Sequence, residues 1–495
     1  MNRHLLTMTL AFLIVLDGCS AFGPDRSAPK MAMPAHYSAR SEAETLTAAD
    51  GVSQRLSADS VPMPEWWKVY QCADLDALVA EGLAHSPSLA AARSTLTAAR
   101  EALKGQIGSN MLPSVDLQFE PSRQRALGIP VIPQQTFLEN VFVAEATASY
   151  TFDFFGASVL ANRALAQQVH QQALQFDSTR RALATNIVVA VINAASLQAQ
   201  LDETVELVAL GERRAAQVSA RYRDGGASRD EALAAAQDAA NAAATLPALR
   251  AQALGVRHAL AVLVGRLPEH APPALKLADL HLPETLPLSV PSELLHQRPD
   301  ILAAEAAVRA AADEAGAATA SMFPSLTLSA AYGRGGFDWS HFTSPAGAIW
   351  SVGASLTQPV FHGGALLARR RQYQANYEVA VAEYKQTVLS AFRTVADTLE
   401  SLDEDAAALA QTERAAEAAR ASDQNTEARY KLGATPFYAT LTAGQQYRSA
   451  NVQVIRATAA RLADTAALLD SMGDPNAATD RVGQVWDRAA VIRQP

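Results

Sequence analysis

One pattern of landmarks runs twice along this 495-residue chain, and it constrains the fold more than any local signal does. Pro87 and Pro299, Pro113 and Pro324, Gly156 and Gly363, and Arg221-Tyr222 and Arg429-Tyr430 keep their order and lie about 207 to 212 positions apart. Each copy passes through an Ala-rich helical stretch, a Pro-led alternating segment, a loop, a second alternating segment, and then a very long helix with its return. The implied unit is a sheet fused to a long helical hairpin, and it is built twice.

The helices come first because they are too long for an ordinary globule. Ala157 to Arg223 contains no proline and only Gly211 inside it, so a continuous helix there reaches about 100 Å at 1.5 Å per residue. Val169, Phe176, Leu183, Ala190 and Leu197 recur at seven, with Ala173, Ile187, Ala194 and Leu201 four further on and Arg180 breaking that second row. This is a coiled-coil seam, and its small alanines suit many closely approaching helices better than a two-stranded rod. Ala365 to Lys431 repeats the composition without proline or glycine. The two stretches end in parallel signals, RYRDGG at 221–226 and RYKLGA at 429–434, where Gly225 and Gly433 allow the left-handed backbone that stops a helix. Both are read as tips of helical hairpins. Charges along these helices, including Asp403, Glu404 and Asp405, are read as solvated faces.

Alternation appears where proline or glycine interrupts the helices. In VFVAEATASYTFDF, Ala144, Ala146, Ala148, Tyr150, Phe152 and Phe154 take one face, and Glu145, Thr147, Ser149, Thr151 and Asp153 the other. Leu326, Leu328, Ala330 and Tyr332, then Trp350, Val352, Ala354 and Leu356, repeat this in the second copy. Each run is about ten residues, a spanning-strand length with aromatics near its ends, although a soluble sheet over a core alternates in the same way. With PSVDLQF the chain supplies about four such strands, whereas closed membrane barrels begin at about eight. A chain that spans with four must therefore share its barrel, and three copies would give about twelve strands.

The first residues, MNRHLLTMTLAFLIVLDGCS, combine a basic start, an apolar run from Leu5 to Leu16 and a small residue before Cys19, which makes a secretory signal too short to span. Leu16-Asp17-Gly18-Cys19 resembles a bacterial lipobox, with Asp17 where a small residue is usual; an ordinary signal peptide with a chance cysteine is the alternative. The lipoprotein resemblance makes Cys19 the lipidated residue, and Ser20 after it implies sorting to the outer membrane. Only Cys72 remains, so the mature chain has no intrachain disulfide, and Cys72 reads as a small core residue. A net charge of −9 argues against nucleic acid as a partner. The ten histidines are dispersed, with no HExxH, no paired metal spacing and no glycine-rich phosphate loop, so no catalytic residue, metal site or cofactor is expected beyond the lipid on Cys19.

WWKVYQCADLDALV, PSELLHQRPDILAAEAAVRAA, SMFPSLTLSAAYG and RYKLGATPFYATLTAGQQYRSA together resemble the TolC-type outer-membrane efflux channels, in their lipid-anchored NodT-like branch. The resemblance implies a mainly α fold with a β-barrel: antiparallel hairpins forming an α-barrel tunnel in the periplasm, and four transmembrane strands per chain, with a homotrimer closing a 12-stranded outer-membrane barrel. It implies a periplasmic adaptor and an inner-membrane pump of the RND type as partners, and outer-membrane lipid around the barrel. Arg221, Tyr222, Gly225, Arg429 and Gly433 match adaptor-contacting tips; Tyr430, Tyr438 and Thr442 fall at the periplasmic gate. The acidic ring frequent in the family is missing, since Ala439 and Thr442 stand there, and Tyr438 fits a steric gate; simple packing of Tyr430 and Tyr438 between helices is the competing account.

The expected organisation is a signal peptide at 1–18, a lipidated tether at 19–62, a first repeat at 63–290, a second at 291–472 and a tail at 473–495. The expected function is a passive duct for small molecules driven by the partner pump, with Glu145, Thr147, Ser149, Thr151 and Asp153 lining the barrel lumen. A duct for protein export and a lipid-anchored adaptor or scaffold are the alternatives. An adaptor, however, would carry one hairpin where this chain carries two.

Overall fold

The computed structural model describes residues 22–31, 37, 45–46, 54–57, 64–127, 136–288 and 295–473. The expected signal peptide, Cys19 and all of the tail beyond Gly473 lie outside the described residues. The described helices include α1 (Ala73–His85), α2 (Pro87–Met111), α3 (Ala157–Arg223), α4 (Arg229–Leu263), α5 (Pro299–Ala320), α6 (Trp339–Thr343), α7 (Ala365–Lys431) and α8 (Phe437–Ser471). The strands are β1 (Thr45–Leu46), β2 (Gln54–Ser57), β3 (Ser114–Leu127), β4 (Thr136–Phe152), β5 (Thr285–Pro287), β6 (Ser325–Gly336) and β7 (Ala348–Thr357). Both long helices run uninterrupted for 67 residues and stop where the glycines stop them. Their starts are also set by glycine: Gly156 before α3 has φ 76°, and Gly363 and Gly364 before α7 have φ 58° and 82°.

The chain forms two compact units. The first holds residues 1–30, 96–172 and 304–385 and contains the antiparallel sheet β3-β4-β6-β7. Its register aligns the alternation of all four strands. Val115, Ala148, Ala330 and Val352 form one row, and Leu117, Ala146, Tyr332 and Trp350 the next. β3 and β4 run longer than their alternating cores, through Pro121 and back to Thr136, and Pro121 is tolerated because β3 is an edge strand of this sheet. β7 is the other edge, and all ten of its residues are exposed.

The second unit holds residues 31–95, 173–303 and 386–495. Trp66, Tyr70, Leu75 and Val79 are buried at its core, and Cys72 is buried and free, as a small core residue should be. The seam positions Ala173, Leu183, Ile187 and Ala194 are buried. One window of α3 is long and apolar enough to match a spanning helix by length and composition; half of it is buried, and Ile187, Val188, Val191 and Ile192 are among the core residues of α3, so packing accounts for its apolarity.

The expected tether at 19–62 needs correction. Within the second unit β2 pairs antiparallel with β1 and parallel with β5, a three-stranded sheet that composition does not announce. Gln54 is fully buried, its Oε1 accepting from Arg461 Nε at 3.0 Å and its Nε2 donating to Thr465 Oγ1 at 3.4 Å. The polar segment that docks here gives the fully buried Arg461 one of its acceptors.

Asp405 departs from the solvated-face reading too. It is half-buried, its carboxyl hydrogen-bonds that of Asp464 on α8, and burial, then the Asp464 charge, push it up to about 6. The folded state thus holds a proton that an unfolded Asp would release. Stability from this pair is greatest below about pH 4 and is lost as pH rises through about 6. Asp405→Asn is expected to flatten that dependence and to stabilise the protein at about pH 8 by about 1 kcal/mol, a figure discounted for solvent screening. Denaturant unfolding at about pH 5 and about pH 8 checks it; an unchanged difference between the two would refute the shared-proton account.

Candidate channel lining and entrance

The polar face of the sheet is assembled by register. Thr147 stands between Asp116 and Ala331, Ser149 between Ser114 and Ser329, and Glu145 between Gln118 and Gly333. Thr151 faces Thr327, their hydroxyls 3.0 Å apart. Glu145, Thr147, Ser149 and Thr151 therefore share one polar surface with Asp116 and Gln118, two residues that the alternation of PSVDLQF exposes on inspection. Asp153 does not join them. It follows the end of β4, and its Oδ2 accepts from the Val159 backbone N–H at 2.9 Å, covering an open donor in the first turn of α3. The helix start claims the carboxylate that alternation alone would assign to the strand.

On the opposite face Val115, Leu117, Tyr332, Trp350, Val352 and Leu356 are all strongly exposed. Two aromatic groups bound this apolar band. At one end Phe142 meets Trp339 at 5.7 Å and Phe342 at 6.2 Å, and Phe119 meets Phe342 at 6.1 Å. At the other, Tyr150 meets Phe152 at 4.8 Å, Phe152 meets Phe154 at 5.8 Å, and Phe155 stacks on Phe323 at 5.0 Å. Phe142 and Phe152 lie ten residues apart on β4, about 33 Å along the strand, which projects to about 25 Å for a strand tilted by about 40°.

The two hairpin tips close with the same backbone geometry. Gly226 N–H donates to Arg221 O at 2.7 Å and Gly225 N–H to Tyr222 O at 3.1 Å; Ala434 N–H donates to Arg429 O at 2.8 Å and Gly433 N–H to Tyr430 O at 2.9 Å. These are paired Schellman closures, with Gly225 at φ 76° and Gly433 at φ 70°. The chemistry that follows differs. Ser228 caps α4 in a capping box with Glu231, a signal legible as S-x-x-E, whereas α8 starts from Pro436 without a side-chain cap. Asp224, Arg229 and Asp230 on the first tip correspond to Leu432, Phe437 and Tyr438 on the second, and Leu432 is 84% exposed.

The structure joins the tips through a contact that sequence reasoning missed. The Arg221 guanidinium lies over the Tyr438 ring, 5.4 Å from its centroid, while Arg221 Nη2 also donates to Gly226 O at 2.7 Å. Tyr430 packs on Phe437 at 5.2 Å, and Thr442 spends its hydroxyl on Tyr438 O at 3.1 Å. Tyr222, Tyr430 and Tyr438 remain partly exposed. Tyr438 thus receives the charge of the neighbouring tip.

Comparison with known proteins gives the same pattern at chain length. The family described as outer membrane efflux protein matches residues 78–266 and 290–474, one match per repeat. The pyoverdine export outer membrane protein OpmQ of Pseudomonas putida is 28% identical over 429 residues, 84% of this chain and 89% of that one. The toluene efflux pump outer membrane protein TtgF of Pseudomonas putida is 26% identical across 96% of this chain and 97% of its own. The Campylobacter jejuni CmeC outer membrane channel superposes with a TM-score of 0.83 at 18% identity, covering 94% of this chain and 98% of that chain. VceC of Vibrio cholerae superposes with a TM-score of 0.72 at 25% identity, covering 84% and 100%.

Proposed function

This chain belongs to the outer membrane efflux protein family, and from that premise we propose that it works as a homotrimer whose copies each contribute β3, β4, β6 and β7 to one shared barrel. The carrying observation is the exposed apolar band bounded at both ends by aromatics, whose height of about 25 Å suits a bilayer core. An isolated four-stranded sheet in lipid would leave unpaired backbone at β3 and β7, and neighbouring copies supply the missing partners. Asp116, Glu145, Thr147, Ser149 and Thr151 would then face a water-filled lumen, wide and poorly discriminating, so cargo choice rests with a partner pump. The long hairpins form the periplasmic tunnel, their tips meet an adaptor, and Cys19 carries the lipid at the end of a segment that is only in part a tether. The cargo is of the small-molecule kind, as the names of OpmQ and TtgF suggest for those proteins; the two-hairpin architecture disfavours the adaptor alternative, and protein export remains the weaker one.

Native mass spectrometry of the detergent-extracted outer-membrane fraction tests the assembly, and planar-bilayer recording tests the duct. A soluble monomer would overturn both. At the entrance, Tyr438→Ala removes the cation–π contact, about 0.5–1 kcal/mol at an exposed site, and is expected to raise single-channel conductance by shifting the closed-to-open ratio toward open by about two- to fivefold. Arg221→Gln should move single-channel conductance in the same direction. Parent-like conductance in both variants would return Tyr438 to packing alone.

A further inference from the structure

The register carries the two faces of the sheet past the aromatic end of the apolar band. β3 and β4 pair without a break from Ser114 to Leu127, so the odd-numbered residues of β3 stay on the face of Val115 and Leu117. Phe119, Pro121, Arg123 and Arg125 follow in turn on that outward face, opposite Ala144, Phe142, Asn140 and Leu138. Along this one strand the outer surface changes from aliphatic to aromatic to cationic. Arg123 and Arg125 are exposed, and so is Leu138 beside Arg125.

Among the described residues no carboxylate pairs with either arginine. Glu120 and Glu139 lie on the opposite face, where Gln118 donates to Glu120 and Gln124 Nε2 donates to Glu139 Oε1 at 3.1 Å. Asp338, which caps α6, is taken by His341, whose backbone N–H and Nδ1 reach its two oxygens at 2.8 and 2.6 Å. Arg334 shares the outward face, in the row of Phe119 and Ala144, but its Nη1 donates to Thr343 O at 2.6 Å and Ser344 O at 3.0 Å. That clamp holds α6 with Phe342 against Phe119 and Phe142 while Trp339 stays exposed. Arg334 is spent on building the aromatic rim; Arg123 and Arg125 stand beyond the rim with their charge unspent.

We propose that Arg123 and Arg125 bind the phosphates of the glycolipid that forms the outward leaflet of the outer membrane, with its acyl chains against the apolar band. The proposal rests on the reading of the sheet as a membrane barrel with its helices in the periplasm, which puts this end of β3 outside. The levels agree. Arg123 and Arg125 stand two and four residues beyond Pro121, the partner of Phe142, and so about 5 and 10 Å further along the axis at the same tilt. A headgroup layer extends about 5–8 Å beyond the hydrocarbon on each side, and an arginine side chain leans back into it along its apolar stem. Each guanidinium offers a phosphate two parallel N–H donors, a fork that suits this oxyanion better than a point charge does. Phospholipids of the periplasmic leaflet lie about 25 Å away, across the apolar band, and are out of reach.

The test titrates the full-length protein in detergent micelles with bisphosphorylated lipid A, with its dephosphorylated form and with phosphatidylglycerol, and counts bound lipid by native mass spectrometry. The parent is expected to bind lipid A about tenfold more tightly than either of the others. Arg123→Gln with Arg125→Gln should erase that preference, and Arg123→Lys with Arg125→Lys should keep part of it. Arg370→Gln with Arg371→Gln removes the same charge from exposed positions on α7 and should leave it intact. Conductance should stay at the parent level throughout, because neither strand arginine is on the lumen face. A parent that binds the dephosphorylated lipid or phosphatidylglycerol as tightly as lipid A overturns the proposal without any variant. A soluble monomer overturns the barrel reading and this proposal with it, whereas a membrane-inserted trimer whose lipid A binding survives the Gln pair overturns this proposal alone.

Discussion

Gly333→Val is expected to abolish accumulation of folded protein in the outer membrane. Gly333 pairs with Glu145 across the β4–β6 ladder, and a Cβ built there runs into the Ala144 carbonyl oxygen and lies 2.6 Å from both Cα and Cβ of Glu145. Two of these obstacles are backbone atoms, so no rotamer change relieves the clash and the ladder itself must open. Opening it separates β3 and β4 from β6 and β7, the two halves contributed by the two repeats. Gly353→Ala on β7 is the matched control: its added Cβ meets only Ser329 Oγ at 3.4 Å, and the variant should behave like the parent. Outer-membrane fractionation with a heat-modifiable gel shift reads both. Normal accumulation of Gly333→Val would mean that the β4–β6 register is wrong.

Tyr70 carries the second large effect. It is fully buried in the second unit, its hydroxyl donates to Leu462 O on α8 at 2.7 Å, and burial pushes the phenol far above its ordinary pKa. Tyr70→Ala should cost about 3–5 kcal/mol through the cavity it leaves. Tyr70→Phe should cost only about 1 kcal/mol, because it keeps the ring and removes one hydrogen bond. Thermal denaturation of the two variants separates packing from polarity. Equal losses would show that the hydroxyl, and not the ring, holds this part of α8.

Much of this was legible because the informative signals were local. The absence of proline between Ala157 and Arg223 and the glycines that bracket it set the ends of α3, and the same logic set α7. Alternation found the centres of all four long strands. It lost their ends, since EPSRQRALG carries no two-residue period and the outer parts of β3 and β4 are held by pairing with each other. Asp153 went astray because a helix cap and a strand residue look alike one position from the boundary. The pairs Gln54–Arg461, Asp405–Asp464 and Arg221–Tyr438 had no sequence signal at all: the first spans 407 residues, and each partner taken singly is an ordinary polar or aromatic side chain.

The two open edges of the four-stranded sheet, β3 with its Pro121 and the wholly exposed β7, bear on inheritance as well as on form. In the proposed trimer each open edge would be satisfied by another copy, which would make every copy answerable for its neighbours. In a cell that expresses equal amounts of intact and edge-damaged chains, random association in threes would leave roughly one assembly in eight free of a damaged member. A single faulty allele would then suppress most of the efflux that its healthy counterpart could support, so lesions along β7 should behave as dominant, while lesions that stop the chain from folding at all should be recessive.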